Sequence, residues 1–162
     1  MQTAAVARRL ASRFVEEARL PEKPLRAERL HISLHHVGDY RRLREKFVYA
    51  ARQAGQAVTM PPFDVTLRAA ASLDGPPRRP FVLLGEDGPV FTLHERLGIA
   101  MSGNGLRAAR RFMPHMTLFY GAKPMSTGEI EPIRFTVRAF SLIHSKLWLT
   151  EYETIGCWRL GD

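Results

Sequence analysis

The sequence predicts an α+β fold. Two observations carry that expectation. Stretches with apolar residues at helical spacing (Val6, Leu10, Phe14, Ala18; Leu93, Leu97, Met101) are interleaved with stretches that alternate apolar and polar, around Phe63–Arg68 and His115–Tyr120. No low-complexity linker or charge block divides the 162 residues, so a single domain over 1–162 with a substantial core is expected.

The elements follow in order. Ala4–Arg19 is an amphipathic helix with Arg8, Arg9 and Glu16 among its apolar positions, and Pro21 and Pro24 end it. Leu30–His36 reads as a strand, with Ile32 and Leu34 on one face and His31, Ser33 and His35 on the other, closed by Gly38. Asp39 is the expected N-cap of a helix over about Tyr40–Ala54, and Gly55 its expected C-cap. Phe63, Val65 and Leu67 alternate with Asp64, Thr66 and Arg68, as in a half-buried strand. A turn at Gly75–Pro77 leads to a strand at Pro80–Leu84, and a third helix spans about Phe91–Met101. Ser102–Pro114 is a polar loop with a basic centre, His115–Tyr120 a strand ended by Gly121, and Lys123–Gly128 a loop. Ile133–Ile143 and Trp148–Leu160 are expected to pair as a closing antiparallel hairpin.

Composition narrows the function. Lys+Arg 24 against Asp+Glu 16 gives +8 and a pI near 10.4, which favours anionic partners. A single cysteine, Cys157, excludes an internal disulfide framework and a cysteine-rich zinc module, and reads as a small buried hydrophobe. No apolar run is long enough to span a bilayer and the N-terminus lacks a signal-peptide core, so a cytoplasmic protein without a membrane partner is expected.

Two short segments are near copies: His31-Ile32-Ser33-Leu34 and His115-Met116-Thr117-Leu118. With 6 histidines in the chain, a quartet of His, apolar, hydroxyl and Leu is expected about 0.03 times by chance, so a repeated one is a strong signal. On a strand, positions i and i+2 share a face, so each imidazole lies beside its hydroxyl while the apolar residues anchor the opposite face. Two such strands across a groove would offer two imidazoles, one to take a proton and one to give one. Their hydroxyls would donate to nonbridging phosphate oxygens, where charge builds in the transition state. In-line attack on a phosphodiester needs no metal or other cofactor in that scheme.

Paired His-x-Ser/Thr-x motifs in a small α+β chain resemble the 2H phosphoesterase superfamily. The contexts Arg29-Leu30-His31-Ile32-Ser33-Leu34, followed by Gly38-Asp39, and Phe112-Met113-Pro114-His115-Met116-Thr117-Leu118 are similar to its bacterial 2′-5′ RNA ligase / RNA 2′,3′-cyclic phosphodiesterase branch. The resemblance runs from about Ala4 to the C-terminus. It implies two lobes of antiparallel sheet related by a pseudo-twofold, with helices outside and one motif from each lobe in a central groove. It implies opening of 2′,3′-cyclic phosphates to 2′-phosphates, with reversible 2′-5′ ligation in some members. On that basis His31 and His115 are the catalytic pair, and Ser33 and Thr117 bind the phosphate. The chain departs from the branch after the second motif, where many members carry Ala-Arg and this sequence has Phe119-Tyr120. Arg107, Arg110 and Arg111 are candidates to replace that charge and attract an RNA backbone, with a solvated basic face as the alternative. Relatives usually open with an apolar strand, whereas this sequence begins in the helix. Either the start is truncated or the sheet lacks that strand; in the second case it has an unpaired edge, through which a homo-oligomer is expected.

Other residues are weighed against plainer roles. His35 shares the His31 face and is a candidate substrate contact, with an accessory strand histidine as the commoner role. Zinc at His31, His35 and His36 is disfavoured, because i, i+4 spacing converges on a helix and not on a strand. Phe119, four residues after His115, would share the groove face of a regular strand and stack on a base, or pack under a loop; by the same parity Tyr120 points to the core. His94 and His144 fit no constellation. The expected activity is therefore metal-independent opening of a cyclic phosphate at an RNA 3′ end. The competing readings are a phosphoesterase on a small cyclic nucleotide or ADP-ribose cyclic phosphate, and a non-catalytic module that binds RNA ends.

Overall fold

A computed structural model describes residues 2–75, 78–85, 88–126, 128–146 and 151–161. The element order is α1 (Gln2–Glu17), a 3-10 turn (Ala27–Arg29), α2 (Glu45–Gln56), β1 (Phe63–Ser72), β2 (Arg79–Leu84), α3 (Gly88–Gly103), β3 (His115–Gly121), β4 (Gly128–Val137), β5 (Ala139–Lys146) and β6 (Glu151–Arg159). This is the α+β mixture the periodicities imply. The turn expected at Pro76-Pro77 and the start of the last strand at Trp148 lie outside the described residues.

The chain forms two compact units. The first comprises 1–33, 65–87 and 113–135, the second 34–64, 88–112 and 136–162. In the first, a four-stranded sheet has the order β3-β2-β1-β4. β1 and β2 are antiparallel, with Ala70 opposite Leu83, and β2 and β3 are antiparallel, with Leu83 opposite Met116. α1 buries Ala7 and Ala11, and Phe14 meets Phe81 edge-on at 4.9 Å. The small alanines let the helix approach closely, while the larger ring fills the space beside it.

In the second unit α2 and α3 pack around Ala51, Ala54, Met101 and Leu106, and β5 pairs with β6 in a two-stranded antiparallel sheet. The closing hairpin is thus as expected, but the strand read as Ile133–Ile143 is two strands. The chain leaves the ladder at Arg138, whose carbonyl accepts the Leu160 amide at 2.8 Å, so β4 belongs to one sheet and β5 to the other.

Three expectations about the region before β1 need correction. Leu30–His36 forms no strand; a single antiparallel bridge, Ile32 to Met116, is all the regular pairing it makes. The physical cause is local. The segment reaches β3 first at Leu25, whose amide bonds the Leu118 carbonyl at 2.8 Å, then coils through the 3-10 turn and returns at Ile32. The turn breaks the extended run that a continuous ladder needs. α2 starts at Glu45 instead of Tyr40, with Arg44 as a cap that makes no side-chain bond, because the Asp39 carboxylate faces His36 at 3.3 Å instead of a helix N-terminus. Gly55 lies inside α2 and Ala57 is the C-cap; a Cβ on Gly55 would come within 2.5 Å of the Trp158 ring, so the glycine serves close packing and not chain reversal.

Candidate active site

All four residues of the repeated motifs that carry functional groups, His31, Ser33, His115 and Thr117, lie in the first unit. The Ile32–Met116 bridge joins their segments. Because the bridge is antiparallel, the flanking residues face each other crosswise: His31 lies opposite Thr117, and Ser33 opposite His115. On β3 alternation puts His115 and Thr117 on the face opposite the buried Met116, and the 3.1 Å contact between His31 Nε2 and Ser33 Oγ brings those two side chains together on their own segment. Each imidazole is therefore set beside its own hydroxyl along the chain and across from the other motif's hydroxyl.

The imidazoles are oriented by the same device. His31 Nδ1 is 2.7 Å from the carbonyl oxygen of Arg29, and His115 Nδ1 is 2.8 Å from that of Met113. A carbonyl only accepts, so in both rings Nδ1 carries the hydrogen and donates it. That fixes the tautomer and leaves Nε2 as the atom that takes or gives a proton. His31 Nε2 meets Ser33 Oγ at 3.1 Å, a contact the hydroxyl serves as donor to a neutral ring or acceptor from a charged one. The backbone carbonyls of Arg29 and Met113 are functional groups that residue-type reasoning passed over. The trace in the sequence is confined to the second motif, where Pro114 disfavours helical backbone at Met113.

Of the two roles weighed for Phe119, a β-bulge removes base stacking and leaves packing. The β2–β3 register shifts between Phe81 and Val82: Val82 faces Thr117, but Phe81 faces Phe119. One extra residue on β3 reverses the alternation beyond Thr117. Phe119 therefore falls on the Met116 face, 1% exposed and stacked on Phe81 at 4.9 Å. Tyr120, expected in the core, is 44% exposed. Both reversals have the one cause, and consecutive large apolar residues at Leu118 and Phe119 are the sequence trace of it.

Of the two roles weighed for His35, the accessory one fits its bonds, although no strand carries it. It lies in the second unit, and both of its ring nitrogens are engaged: Nε2 donates to the His94 carbonyl at 2.8 Å, and Nδ1 accepts the Ala109 amide at 3.2 Å. It clasps the 104–112 loop to α3. Its ring stacks on His94 (4.0 Å between centroids), which stacks in turn on Phe112 (4.3 Å). His94 is 8% exposed, and burial, then the neighbouring His35, lowers its pKa from the usual histidine range. Arg107, Arg110 and Arg111 are exposed and belong to the second unit, so they are not gathered with the four motif residues in one unit. Cys157, expected to be buried, is exposed. Among the described residues no helix is long and apolar enough to cross a membrane.

Comparison with known proteins bears on this arrangement. The family model for the 2′-5′ RNA ligase superfamily matches residues 6–147. No curated protein sequence matches the chain. Among solved structures, TT0787 of Thermus thermophilus is similar over 98% of this chain and 92% of that one, with 22% identity and a TM-score of 0.75. Escherichia coli LigT complexed with 3′-AMP is similar over 98% of this chain and 93% of its own, with 24% identity and a TM-score of 0.72. A further structure described as a phosphoesterase matches over 95% and 92% of the two chains at 22% identity and a TM-score of 0.67. At these identities the structures establish the fold, and the family model establishes the membership. The chain belongs to the 2′-5′ RNA ligase superfamily of 2H phosphoesterases.

Proposed function

We propose that the protein is an RNA 2′,3′-cyclic phosphodiesterase that opens a terminal cyclic phosphate to a 2′-phosphate. The observation that carries this reading is the matched pair of Nδ1–carbonyl bonds, which makes Nε2 the proton-exchanging nitrogen of both imidazoles. One base and one acid are what hydrolysis of a phosphodiester requires. In the reaction, His115 Nε2 takes a proton from water as the water oxygen bonds to phosphorus. The bond from phosphorus to the 3′ oxygen breaks, and protonated His31 Nε2 delivers its proton to that oxygen. The product keeps the phosphate on the 2′ oxygen, and the two rings have exchanged protonation states. Both rings donate Nδ1–H to a carbonyl in the same way, so the acid and base roles can be exchanged, and 2′-5′ ligation uses the same groups with an RNA 5′-hydroxyl attacking phosphorus in place of water.

Ser33 and Thr117 donate to the nonbridging oxygens. Each lies opposite the other motif's imidazole, an arrangement that supports a phosphorus held between both proton carriers. These groups supply every proton transfer themselves, and the reading is of metal-independent catalysis. A charge of +8 suits a polyanionic substrate. E. coli LigT, whose structure contains 3′-AMP, carries a ribonucleotide with its phosphate on the ribose.

The test is incubation with a short RNA ending in a 2′,3′-cyclic phosphate, in EDTA, with the product mapped. Wild type should release a 2′-phosphate end, and His31→Ala and His115→Ala should each lower the rate by on the order of 10²–10⁴. A rate independent of both histidines would overturn the assignment. Turnover of a small cyclic nucleotide but not of RNA would move the substrate to that class. Binding of the RNA end without turnover would mark a non-catalytic module.

A further inference from the structure

The bulge that removes Phe119 from the site puts another aromatic residue into it. On β2, Leu84, Val82 and Pro80 share one face by alternation, and they pair with His115, Thr117 and Tyr120 respectively. Tyr120 thus projects from the same face of β3 as the second catalytic motif, with its ring exposed to solvent. The β2 partners of Thr117 and Tyr120, Val82 and Pro80, are two residues apart, so Tyr120 lies about 7 Å along the sheet from Thr117. A phosphate held by Thr117 would have its own nucleoside within reach of that ring.

The ring's anchorage is rigid. Arg78 donates its guanidinium N–H to the Tyr120 carbonyl, which ties the end of β3 to the start of β2. Pro80 opposite has a fixed backbone, and Phe119, the neighbour within the bulge, is locked into the core against Phe81. An exposed aromatic on a fixed backbone loses little conformational freedom when a flat ligand covers it, and every nucleobase has a flat apolar face.

We propose that Tyr120 stacks on the base of the nucleotide whose cyclic phosphate is opened, so that the site selects a base-bearing ribose phosphate over a base-free one. The inference rests on the phosphodiesterase reading above and names how that site recognises its substrate. Where the similar branch places an arginine, which holds phosphate by charge, this chain presents a ring that holds the base. Stacking is indifferent to base identity, so discrimination among the four bases should be weak.

The experiment compares wild type, Tyr120→Ala and Tyr120→Phe on two RNAs ending in a 2′,3′-cyclic phosphate, one with a terminal adenosine and one with an abasic terminal ribose. Removing the ring should raise KM for the adenosine substrate on the order of 10- to 100-fold with kcat nearly unchanged. It should leave the abasic substrate unaffected, and Tyr120→Phe should behave as wild type. Equal losses on both substrates, or none on either, would overturn the proposal. Calorimetric titration with adenosine 2′-monophosphate separates this from failure of the activity itself. If wild type turns over neither RNA yet binds the nucleotide more tightly than Tyr120→Ala, the base contact stands and the phosphodiesterase reading falls. Equal affinities, or no binding by wild type, would refute the base contact.

Discussion

His31 and His115 are aimed by the same local bond on very different scaffolds. His115 opens β3, whose residues pair along β2 and whose Met116, Leu118 and Phe119 are sunk in the core. His31 sits on a segment without regular structure, after a 3-10 turn, fastened to β3 at a single bridge. Yet each ring donates Nδ1–H to the carbonyl two residues before it. Orientation of the imidazole is therefore a property of the dipeptide that precedes it, whereas its rigidity is a property of the sheet. A phosphoester site needs both, because hydrogen-bond donors stabilise developing charge only to the extent that they need not move to meet it.

The hydroxyls are where that difference should show most. Thr117 stands on the paired strand and Ser33 on the tethered segment, which bends more easily. We expect Thr117→Ala to lower kcat/KM by on the order of 10²-fold, the loss of a hydrogen bond to a charged group. Ser33→Ala should cost about tenfold less, since a donor that reorganises contributes less to the transition state. Thr117→Ser should recover most of the activity. Steady-state kinetics on the cyclic-phosphate RNA decides it; equal losses would show that one bridge holds the first motif as firmly as a ladder holds the second.

The contrast also explains what the sequence disclosed and what it concealed. The motif quartets were visible because the same residue types recur at the same four positions, and β3 was visible because Met116 and Leu118 keep a period of two. The first motif has the same alternation, Ile32 and Leu34 against His31 and Ser33, but alternation reports which residues face the core and not whether a partner strand runs alongside. That depended on the 3-10 turn at Ala27–Arg29, which no spacing announces. The bulge on β3 was hidden for a related reason. One added residue leaves every side chain type unchanged while reversing which face each one takes, so Phe119 and Tyr120 exchanged roles. His35 was misplaced by reading a face from a strand that does not form, and its bonds to the His94 carbonyl and Ala109 amide lie far beyond the range of local pattern.

His35 sharpens the comparison from the other side, since a third histidine only four positions from His31 has both nitrogens consumed by backbone groups. Replacing it removes both bonds, and an ordinary hydrogen bond contributes about 0.5–1.5 kcal/mol to stability. His35→Ala should lower stability by an amount of that order in urea unfolding, while kcat per folded molecule stays within about threefold of wild type. A large loss of kcat at unchanged stability would return His35 to the substrate and erase the distinction between presented and consumed imidazoles.

The smallest effect belongs to His94, in the middle of the ring stack. Its Nε2 has no hydrogen-bond partner among the described residues, and burial followed by repulsion from His35 lowers its pKa below the ordinary 6.5. Between that ordinary value and the lowered one, the unfolded chain binds a proton that the folded chain refuses. Stability therefore rises with pH across this window, and it is lost as the pH falls below about 6.5. One such group changes stability by at most about 1.4 kcal/mol per pH unit. His94→Phe keeps a flat ring between His35 and Phe112 but has no proton to bind, so its stability should fall less than that of wild type between pH 7.5 and pH 5.5, values set about one unit either side of the window's upper edge. Because every other histidine is common to both proteins, the difference between the two urea-unfolding series isolates His94. Parallel curves would mean that the buried ring accepts its proton as readily as an exposed one, and that burial at the stack, unlike presentation at the motifs, has no bearing on how these imidazoles handle protons.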